Sequence, residues 1–277
     1  MLRVTGLFLY PVKSCRGLAA PAARVDARGF EGDRRFLIVD REDRFLTQRV
    51  LPRMALIETA LADGELVLAA GRDGSVRVPL QPKTQNPKHK TITVTVWQDT
   101  VSTDDCGEEP AAWLSGILGL SCRLVRAGPA YARPIAARKV PSTLNLTPGP
   151  AHEVSFADGY PFMVITEESL ADLNARLPAP LPMNRFRPSL VVAGGAPYAE
   201  DGWTRFRVGD VTFHGASRCG RCVITTTDQR TAERASEPLR TLATYRRDPD
   251  GDVKFGRNLI HETKTGRVAV GDAVELL

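Results

Sequence analysis

The stretch Arg218-Cys219-Gly220-Arg221-Cys222-Val223-Ile224-Thr225-Thr226-Thr227-Asp228 contains the only Cys-x-x-Cys pair of the chain. The β-branched run after the second cysteine predicts a strand over residues 223–227. Arg218 and Arg221 lie beside the thiols, and a nearby positive charge favours the thiolate, which is the form of cysteine that binds metals. The stretch therefore predicts metal or redox chemistry at the start of a strand.

The residues alone leave other uses of the cysteine pair open. A structural zinc site needs four ligands, usually from two such pairs, and the sequence has no second pair. A thioredoxin-like dithiol would stand at the start of a helix, whereas a strand is predicted here. Both cysteines could also be buried packing residues, because cysteine is among the most buried residue types. The flanking arginines favour a thiolate over a packing role.

The whole chain has the composition of an ordinary globular protein. It has 277 residues, 43% hydrophobic and 25% charged, which is long enough for two domains and excludes a disordered chain. The formal net charge of +5 predicts attraction to anions such as phosphate groups or an acidic partner. Because the basic residues are scattered and no nucleic-acid-binding motif is present, we do not expect nucleic acid as a partner.

The cysteines and the N-terminus indicate the compartment. An odd count of five cysteines argues against a disulfide framework. Cys15, Cys106 and Cys122 have no partner at metal-ligand spacing, so we expect them to be packing residues. The N-terminus lacks the apolar core of a secretory signal, and no membrane span is expected. These features predict a cytoplasmic protein.

The first part of the chain predicts short strands joined by turns, which form an antiparallel barrel-like sheet. The strands are expected at 4–10, 36–40, 55–60, 65–69, 75–79 and 91–97. A helix is predicted at 108–118, where apolar residues fall at helical spacing after two glutamates. Prolines crowd residues 128–150, which indicates a connection or a flap over a site. We place the boundary there, giving domains 1–127 and 128–277.

The second part predicts another β-rich domain with a few peripheral helices. Its strands are expected at 162–165, 190–193, 206–213, 223–227 and 269–276. Helices are predicted at 167–177, with Thr166 as the N-cap, and at 238–245. The expected fold class is therefore α+β and β-rich, with an N-terminal antiparallel barrel-like domain packed on the second domain.

The cysteine stretch resembles the core motif of MOSC domains. In that motif Cys-x-Arg-Cys precedes a hydrophobic pair, Thr-Thr and an acidic residue, as from Cys219 to Asp228 here. The resemblance implies a molybdenum–molybdopterin cofactor whose metal is bound by the thiolate of Cys222, with Gly220 and Arg221 beside it. Thiolate is a suitable soft ligand for such a metal.

A second resemblance lies near the N-terminus. Tyr10-Pro11-Val12-Lys13-Ser14-Cys15 is similar to a family motif, and Gly32-Asp33-Arg34 follows it in matching order. Physically, Lys13 and Arg34 with the hydroxyl of Ser14 form a phosphate clamp of charge-assisted hydrogen bonds. The resemblance implies that the bound phosphate belongs to molybdopterin.

Two further stretches extend the resemblance over the second half of the chain. Asn184-Arg185-Phe186-Arg187-Pro188-Ser189 is similar to a family Asn-Phe-Arg-Pro-Asn stretch whose arginine and final asparagine contact the cofactor. This implies cofactor contacts by Arg187 and by Ser189, although the shorter serine would need a water to reach the same group. Asn258 stands where some relatives place a tyrosine near the cofactor.

Together these stretches resemble MOSC-domain proteins with an N-terminal MOSC β-barrel domain, similar to the mitochondrial amidoxime-reducing component. The second domain is thus expected to be a MOSC β-barrel. The resemblance implies an oxidoreductase that reduces N-hydroxylated substrates, namely amidoximes, hydroxylamines and N-hydroxylated bases. Electrons would come from a separate flavoprotein, ferredoxin or b-type cytochrome. The basic loop 83–90 is expected to be solvated, although an acidic donor could dock there.

Two alternatives remain. MOSC domains also form the C-terminus of cofactor sulfurases, so the chain could carry the cofactor, or sulfur on Cys222, without turnover. A pyridoxal-phosphate domain is expected to be absent, which argues against a complete sulfurase. The other alternative is a metal-free protein that uses the cysteine pair as a redox sensor.

Overall fold

The computed structural model describes residues 1–81, 90–142, 144 and 152–277. Within these residues strands predominate and the α-helices are few and short, so the predicted α+β, β-rich fold class is confirmed. Most of the basic loop 83–90, and the end of the predicted connection 128–150, lie outside the described residues. Over the described part of the chain, no helix combines the length and apolar character needed to cross a membrane.

The strands and helices follow one another along the chain in a fixed order. The strands are β1 (Arg3–Leu9), β2 (Leu18–Ala19), β3 (Ala22–Asp26), β4 (Gly29–Phe30), β5 (Phe36–Val39), β6 (Glu58–Ala62), β7 (Glu65–Ala69), β8 (Ser75–Pro79), β9 (Thr91–Val96), β10 (Asp99–Asp105), β11 (Arg123–Arg126), β12 (Phe162–Thr166), β13 (Leu190–Ala193), β14 (Arg205–Val208), β15 (Val211–Gly220), β16 (Lys254–His261), β17 (Arg267–Ala269) and β18 (Val274–Leu276). The α-helices are α1 (Glu108–Leu118), α2 (Glu167–Arg176) and α3 (Leu239–Leu242).

The largest sheet has eight strands in the order β18-β14-β15-β16-β12-β13-β1-β2. β12 and β13 are parallel, and the other pairs are antiparallel. Its buried side is filled by aliphatic and aromatic side chains from both ends of the chain, including Leu7, Phe162 and Phe213. The N-terminal strands β1 and β2 thus belong to the same sheet as the C-terminal strands. The division into domains 1–127 and 128–277 stays a prediction.

Smaller antiparallel sheets cover the first part of the chain. One has the order β5-β11-β10-β9, and another is the meander β6-β7-β8. Along β9 the residues alternate between exposed and buried, as expected for a strand with one face in the core. Helix α1 packs against β11 and β8. The buried side chains of these elements form a second core that includes Leu66, Leu114 and Leu124.

Most predicted elements are present with small shifts in their ends. The helix at 108–118 is confirmed as α1, and Thr166 caps α2 by accepting a hydrogen bond from the Ser169 backbone N–H at 3.2 Å. The predicted strand 206–213 is instead a hairpin of β14 and β15, and 269–276 is split between β17 and β18. The helix at 238–245 is shorter than predicted, and residues 55–57 precede β6 in a 3₁₀ turn and its cap.

The predicted strand over residues 223–227 is wrong. β15 ends at Gly220, and the residues after Cys222 form a 3₁₀ turn, Val223–Thr226. The hydroxyl of Thr225 donates to the Cys222 carbonyl at 3.0 Å, and that of Thr226 donates to the Val223 carbonyl at 2.8 Å. These local bonds from side chain to backbone outweigh the strand propensity of β-branched residues. The argument against a dithiol that rested on this strand therefore fails.

A close backbone approach fixes the packing of the large sheet at Gly215. A Cβ atom there would lie 1.9 Å from the Trp203 carbonyl oxygen and 2.2 Å from Nε of Arg257. Neither neighbour can give way easily, because the first is a backbone atom and the Arg257 guanidinium donates to the Asp201 and Gly215 carbonyls.

We predict that Gly215→Ala lowers the free energy of unfolding by about 3 kcal/mol or more through overpacking. The matched control is Gly116→Ala in α1, where an added Cβ meets nothing within 4 Å. That change should raise stability by about 0.5–1 kcal/mol through helix propensity. Urea denaturation of both variants checks this, and equal effects at the two positions would contradict the packing argument.

Candidate functional site

The site begins where β1 and β13 lie side by side. Because the two strands are antiparallel, the residues that leave β1 stand next to those that enter β13. Leu7 pairs with Leu190, and the Phe8 backbone N–H donates to the Ser189 carbonyl at 3.0 Å. The loop after β1, which carries Lys13 and Ser14, is thus brought to the residues that precede β13.

The neighbouring strands bring the cysteine stretch to the same place. Met163 on β12 pairs with Asn258 on β16, and Asn258 pairs with Ser217 on β15. The chain then leaves β15 at Gly220 and continues through Arg221 and Cys222. Segments that are far apart in sequence therefore converge at one edge of the sheet.

A cavity of about 310 Å³ lies at this point of convergence. Every predicted site residue lines it: Lys13, Ser14, Arg34, Arg187, Ser189, Gly220, Arg221, Cys222 and Asn258. The structure thus brings together all the residues that the sequence selected, although their roles stay predictions. Further residues line it that the sequence did not select, chiefly Arg49, Lys139, Asp158, Tyr160, Met163, Phe186 and Cys219.

The ring of Tyr10 holds two of the cavity arginines. The guanidinium carbon of Arg34 lies 4.7 Å from the ring centroid and that of Arg187 lies 4.2 Å from it, both at cation–π distance. Tyr10 itself is buried, and its hydroxyl donates to the Pro188 carbonyl at 3.0 Å. Burial raises the pKa of Tyr10 to about 12, so the ring stays neutral. A Cβ on Gly17 would lie 2.3 Å from this ring, which requires glycine there.

Lys13 and Asp158 form the electrostatic centre of the cavity. The Lys13 ammonium is buried, donates to the Phe156 carbonyl at 2.8 Å and pairs with the Asp158 carboxylate. Burial lowers the pKa of Lys13 to about 8. Burial acts to raise the pKa of Asp158, but Lys13 and Arg49 outweigh it and hold that pKa well below its ordinary value. Although protein atoms surround Asp158, 52% of its side chain is accessible from the open cavity.

Arg49 connects Asp158 to the cysteine. Its guanidinium donates to Asp158 Oδ2 at 2.9 Å and lies near enough to the Cys222 side chain to interact with it electrostatically. Burial lowers the pKa of Arg49, but Asp158 and then Cys222 raise it by more. Arg49 was not among the site residues predicted from the sequence. Residues 49 and 158 are 109 positions apart, so only the fold could reveal their contact.

The two cysteines of the pair have different surroundings. The Sγ atom of Cys219 accepts a hydrogen bond from Arg221 Nη1 at 3.0 Å, and the same nitrogen lies 2.8 Å from the Met163 sulfur. Cys222 instead lies next to Arg49, and neither cysteine forms a disulfide. Both cysteines line the cavity, and they differ in their partners: the Cys219 sulfur accepts a hydrogen bond from Arg221, whereas Cys222 lies next to Arg49.

The remaining predicted residues have structural partners as well as cavity surface. The buried Ser189 hydroxyl accepts a weak hydrogen bond from the Met163 backbone N–H at 3.4 Å. The amide of Asn258 donates to the Ser217 hydroxyl at 3.2 Å. Gly220 faces Asp252, whose Oδ2 would lie 3.1 Å from an added Cβ.

A pair of buried amides ties the Ser14 loop to the loop after Cys222. Gln229 Nε2 donates to Gln48 Oε1 at 3.0 Å, and Gln48 Nε2 donates to the Ser14 carbonyl at 2.7 Å. Gln229 Nε2 also donates to the Thr227 carbonyl at 3.1 Å. The phosphate clamp and the cysteine loop are thus held in one hydrogen-bonded unit.

Cys15 and Cys122 lie in the hydrophobic core, and Cys106 packs against it, in agreement with the packing role predicted for them. Burial raises the pKa of Cys15 and of Cys106 to about 12, so both stay as thiols. Within the ranges that the structure describes, no three His, Cys, Asp or Glu side chains gather as a metal site would require.

Comparisons with known proteins give the class of this fold and site. The family described as "MOSC N-terminal beta barrel domain" matches residues 1–121, and the family described as "MOSC domain" matches residues 151–275. The chain is 35% identical to mitochondrial amidoxime-reducing component 1 of Mus musculus, over 99% of this chain and 82% of that protein. It is 33% identical to the Homo sapiens protein of the same name over the same shares.

A more distant similarity extends to a longer protein. The molybdenum cofactor sulfurase of Danio rerio is 32% identical over 94% of this chain, which matches 32% of that protein. The chain therefore belongs to the family of MOSC proteins with an N-terminal MOSC β-barrel domain that includes the mitochondrial amidoxime-reducing components.

The pKa of Lys13 predicts how anion binding depends on pH. Only the protonated ammonium attracts an anion, so the affinity of the cofactor-free protein for sulfate should fall as pH rises through about 8. Sulfate stays doubly charged over this range, so the change reports on the protein. Calorimetric titration between pH 6 and 10 measures it. Lys13→Gln should weaken binding at pH 7 by roughly 10- to 100-fold, the value of a charge-assisted hydrogen bond, and remove the step.

Two variants distinguish the effect of Lys13 on sulfate binding from the effect of the overall charge of the protein. Asp158→Asn should move the step below pH 8, because Asp158 raises the Lys13 pKa. Lys264 is the matched control, since burial lowers its pKa also to about 8 but it bonds His152, outside the cavity. A pH step that persists in Lys13→Gln and disappears in Lys264→Gln would show that Lys13 does not bind the anion.

Proposed function

We propose that this protein is a molybdenum-cofactor-dependent reductase of N-hydroxylated compounds. One observation carries the proposal: the thiol of Cys222 and the cations Lys13, Arg34 and Arg187 line the same cavity. This arrangement provides a metal ligand at one place and a phosphate clamp at another. A pterin that bears both a metal-binding group and a phosphate needs both.

The residues present fit such a cofactor. The volume of about 310 Å³ is within the range of small-molecule sites. Of the lining residues that the structure describes, Asp158 alone is a carboxylate, against the cations Lys13, Arg34, Arg49, Lys139, Arg187 and Arg221. Ser14, Arg34 and Arg187 have φ values of +67°, +50° and +56°, a strained region for residues other than glycine. Such strain is typical of ligand sites.

In this proposal Cys222 binds molybdenum, and Lys13, Ser14, Arg34 and Arg187 bind the phosphate, with Ser189, Gly220, Arg221 and Asn258 beside the pterin. When bound, the cofactor supplies two-electron redox chemistry that removes oxygen from an N–OH group as water. The protein orients the reactants. Arg49 places a positive charge beside the Cys222 side chain, and the exposed side of the Asp158 carboxylate can accept a hydrogen bond from a substrate N–H. The rings of Tyr10 and Phe186 exclude water from the cations.

The names of the relatives support this choice of reaction. The proteins from Mus musculus and Homo sapiens are named for amidoxime reduction, and each is matched over 82% of its length. Amidoximes, hydroxylamines and N-hydroxylated bases share the N–OH group, so we propose this class of substrate. A separate flavoprotein, ferredoxin or b-type cytochrome as electron donor, and a cytoplasmic location, stay predictions.

The sulfurase similarity supports a second candidate function. A chain that resembles part of a molybdenum cofactor sulfurase could carry the cofactor, or sulfur on Cys222, without turnover. The Cys222 sulfur borders the cavity, as a carrier of sulfur also requires. The two functions differ in whether the loaded protein reduces a substrate.

The surroundings of the two cysteines predict which one is the ligand. Purified from cells that synthesise the cofactor, the native protein should contain about one molybdenum and one pterin per chain. Cys222→Ser should lose most of the metal and at least about 100-fold of the activity, because a lost ligand costs more than a lost supporting contact. Cys219→Ser is the matched control and should keep both within a few-fold.

Elemental analysis and pterin fluorescence measure the cofactor. Benzamidoxime reduction with reduced methyl viologen measures turnover without the natural donor. Metal loss in Cys219→Ser rather than Cys222→Ser would reverse the ligand assignment. Full cofactor with no reduction of any N-hydroxylated probe would favour the carrier.

A further inference from the structure

Trp97 occupies a position that suits a different residue. Strands β9 and β10 are joined by a two-residue turn, Trp97-Gln98, because Val96 pairs with Asp99. Trp97 has a φ of +60°, in the left-handed region. Two-residue hairpin turns place glycine, asparagine or aspartate at such positions, since a bulky side chain is strained there. A tryptophan therefore stands at a position whose backbone conformation favours a smaller residue.

The indole is exposed, yet it is fixed to two residues of the cavity. It is 44% exposed to solvent. The Arg49 guanidinium lies 4.7 Å from the ring centroid, and the indole N–H donates to Asp158 Oδ1 at 3.3 Å. Phe45 supports the ring at 5.0 Å between centroids. The indole of Trp97 thus lies against two residues that line the cavity.

Two other exposed apolar residues directly follow cavity-lining residues in the sequence. Val50 is 68% exposed and follows Arg49, and Val223 is 36% exposed and follows Cys222. Cavity and rim together offer charged groups inside and apolar surface outside. One indole and two valines fall far short of the roughly 800 Å² per partner that a stable protein complex buries. An occupant the size of a single ring suits this surface better.

We propose that Trp97 is a specificity-determining residue that binds a planar aromatic group of the substrate at the mouth of the cavity. The inference rests on the proposed reductase function and names the substrate class within it: N-hydroxylated compounds in which the N–OH-bearing functional group, such as an amidoxime, carries an aromatic ring. The ring packs on the exposed indole while the polar group reaches inward past Asp158. Strain at Trp97 is retained because a smaller residue would remove this contact.

Trp97→Asn tests the proposal without an unfavourable backbone, because asparagine tolerates positive φ. Its melting temperature should stay within about 2 °C of the native value or rise, since relieved strain offsets the lost packing. The probes are benzamidoxime and acetamidoxime, which share the N–OH group and differ in the ring. With reduced methyl viologen as donor, KM for benzamidoxime should rise about 3- to 10-fold, the range of one aromatic pair. KM for acetamidoxime should rise less, so that the ratio of the two KM values increases, because any effect of the variant on Asp158 and Arg49 is shared by both amidoximes.

Binding to the oxidised holoprotein gives a readout that does not need turnover. Without an electron donor, benzamidoxime should quench the tryptophan fluorescence of the native protein. The control variant Trp113→Phe should show the same quenching, because the Trp113 indole of the native protein donates to the Asp73 carbonyl instead. Trp97→Asn should lose most of this quenching. If neither amidoxime is reduced but the quenching depends on Trp97, the proposed function fails and the aromatic site stands.

Two outcomes would overturn the inference. The first is an unchanged ratio of the two KM values in Trp97→Asn, together with unchanged quenching. The second is a normal KM for both amidoximes with a raised KM for a protein electron donor, which would assign the rim to the donor instead.

Discussion

Because β1 is antiparallel to β13, the loop after β1 must stand beside the residues that enter β13, and the rest of the site depends on this pairing. The register Leu7 to Leu190 places Tyr10 near Arg187. A slip of one residue would turn the Tyr10 side chain to the other face of the sheet and expose Leu7 and Leu9. Since both leucines are in the main core, that register is strongly disfavoured. The position of the predicted phosphate clamp is thus fixed by the burial of apolar side chains in the large sheet, and not by the polar groups of the clamp.

The second constraint is charge. Several cations face a cavity in which Asp158 is the only carboxylate among the described lining residues, and their mutual repulsion has to be offset. Asp158 pairs with Lys13 and Arg49, Asp33 pairs with Arg34, and the Tyr10 ring lies against Arg34 and Arg187. Burial still lowers the pKa of Lys13 and of Arg187, so the compensation is incomplete. An anion in the cavity would complete the compensation of these positive charges. The cavity should therefore have a high affinity for phosphate groups.

The fold class was predicted correctly from the sequence, and the predicted site residues line one cavity, but the contacts that join them were not predicted. Helix α1 and the strands β7, β8 and β12 follow from periodicity, because local pattern and burial agree there. The turn after Cys222 did not, since the Thr225 and Thr226 hydroxyls compete with strand pairing in a way that propensity ignores. The site residues were predicted from motifs, which indicate the positions of functional residues but not the residues that contact them. Arg49, Asp158 and Trp97 were not predicted, because their roles depend on contacts with one another that join distant parts of the chain.

Several residues at this site violate a local rule of conformation. Ser14, Arg34 and Arg187 line the cavity with positive φ, and Trp97 with positive φ contacts two lining residues. Each such residue raises the energy of the fold by an amount that the surrounding core must offset. Of the eight non-glycine residues with positive φ in the described chain, three line the cavity and Trp97 contacts two lining residues, while Asp43, Asp63, Tyr198 and Ala232 lie elsewhere. The other positive-φ positions are glycines, for which this backbone region is not strained. Backbone strain at three residues that line one charged cavity is typical of a ligand site, and it supports the proposed function without reference to any motif.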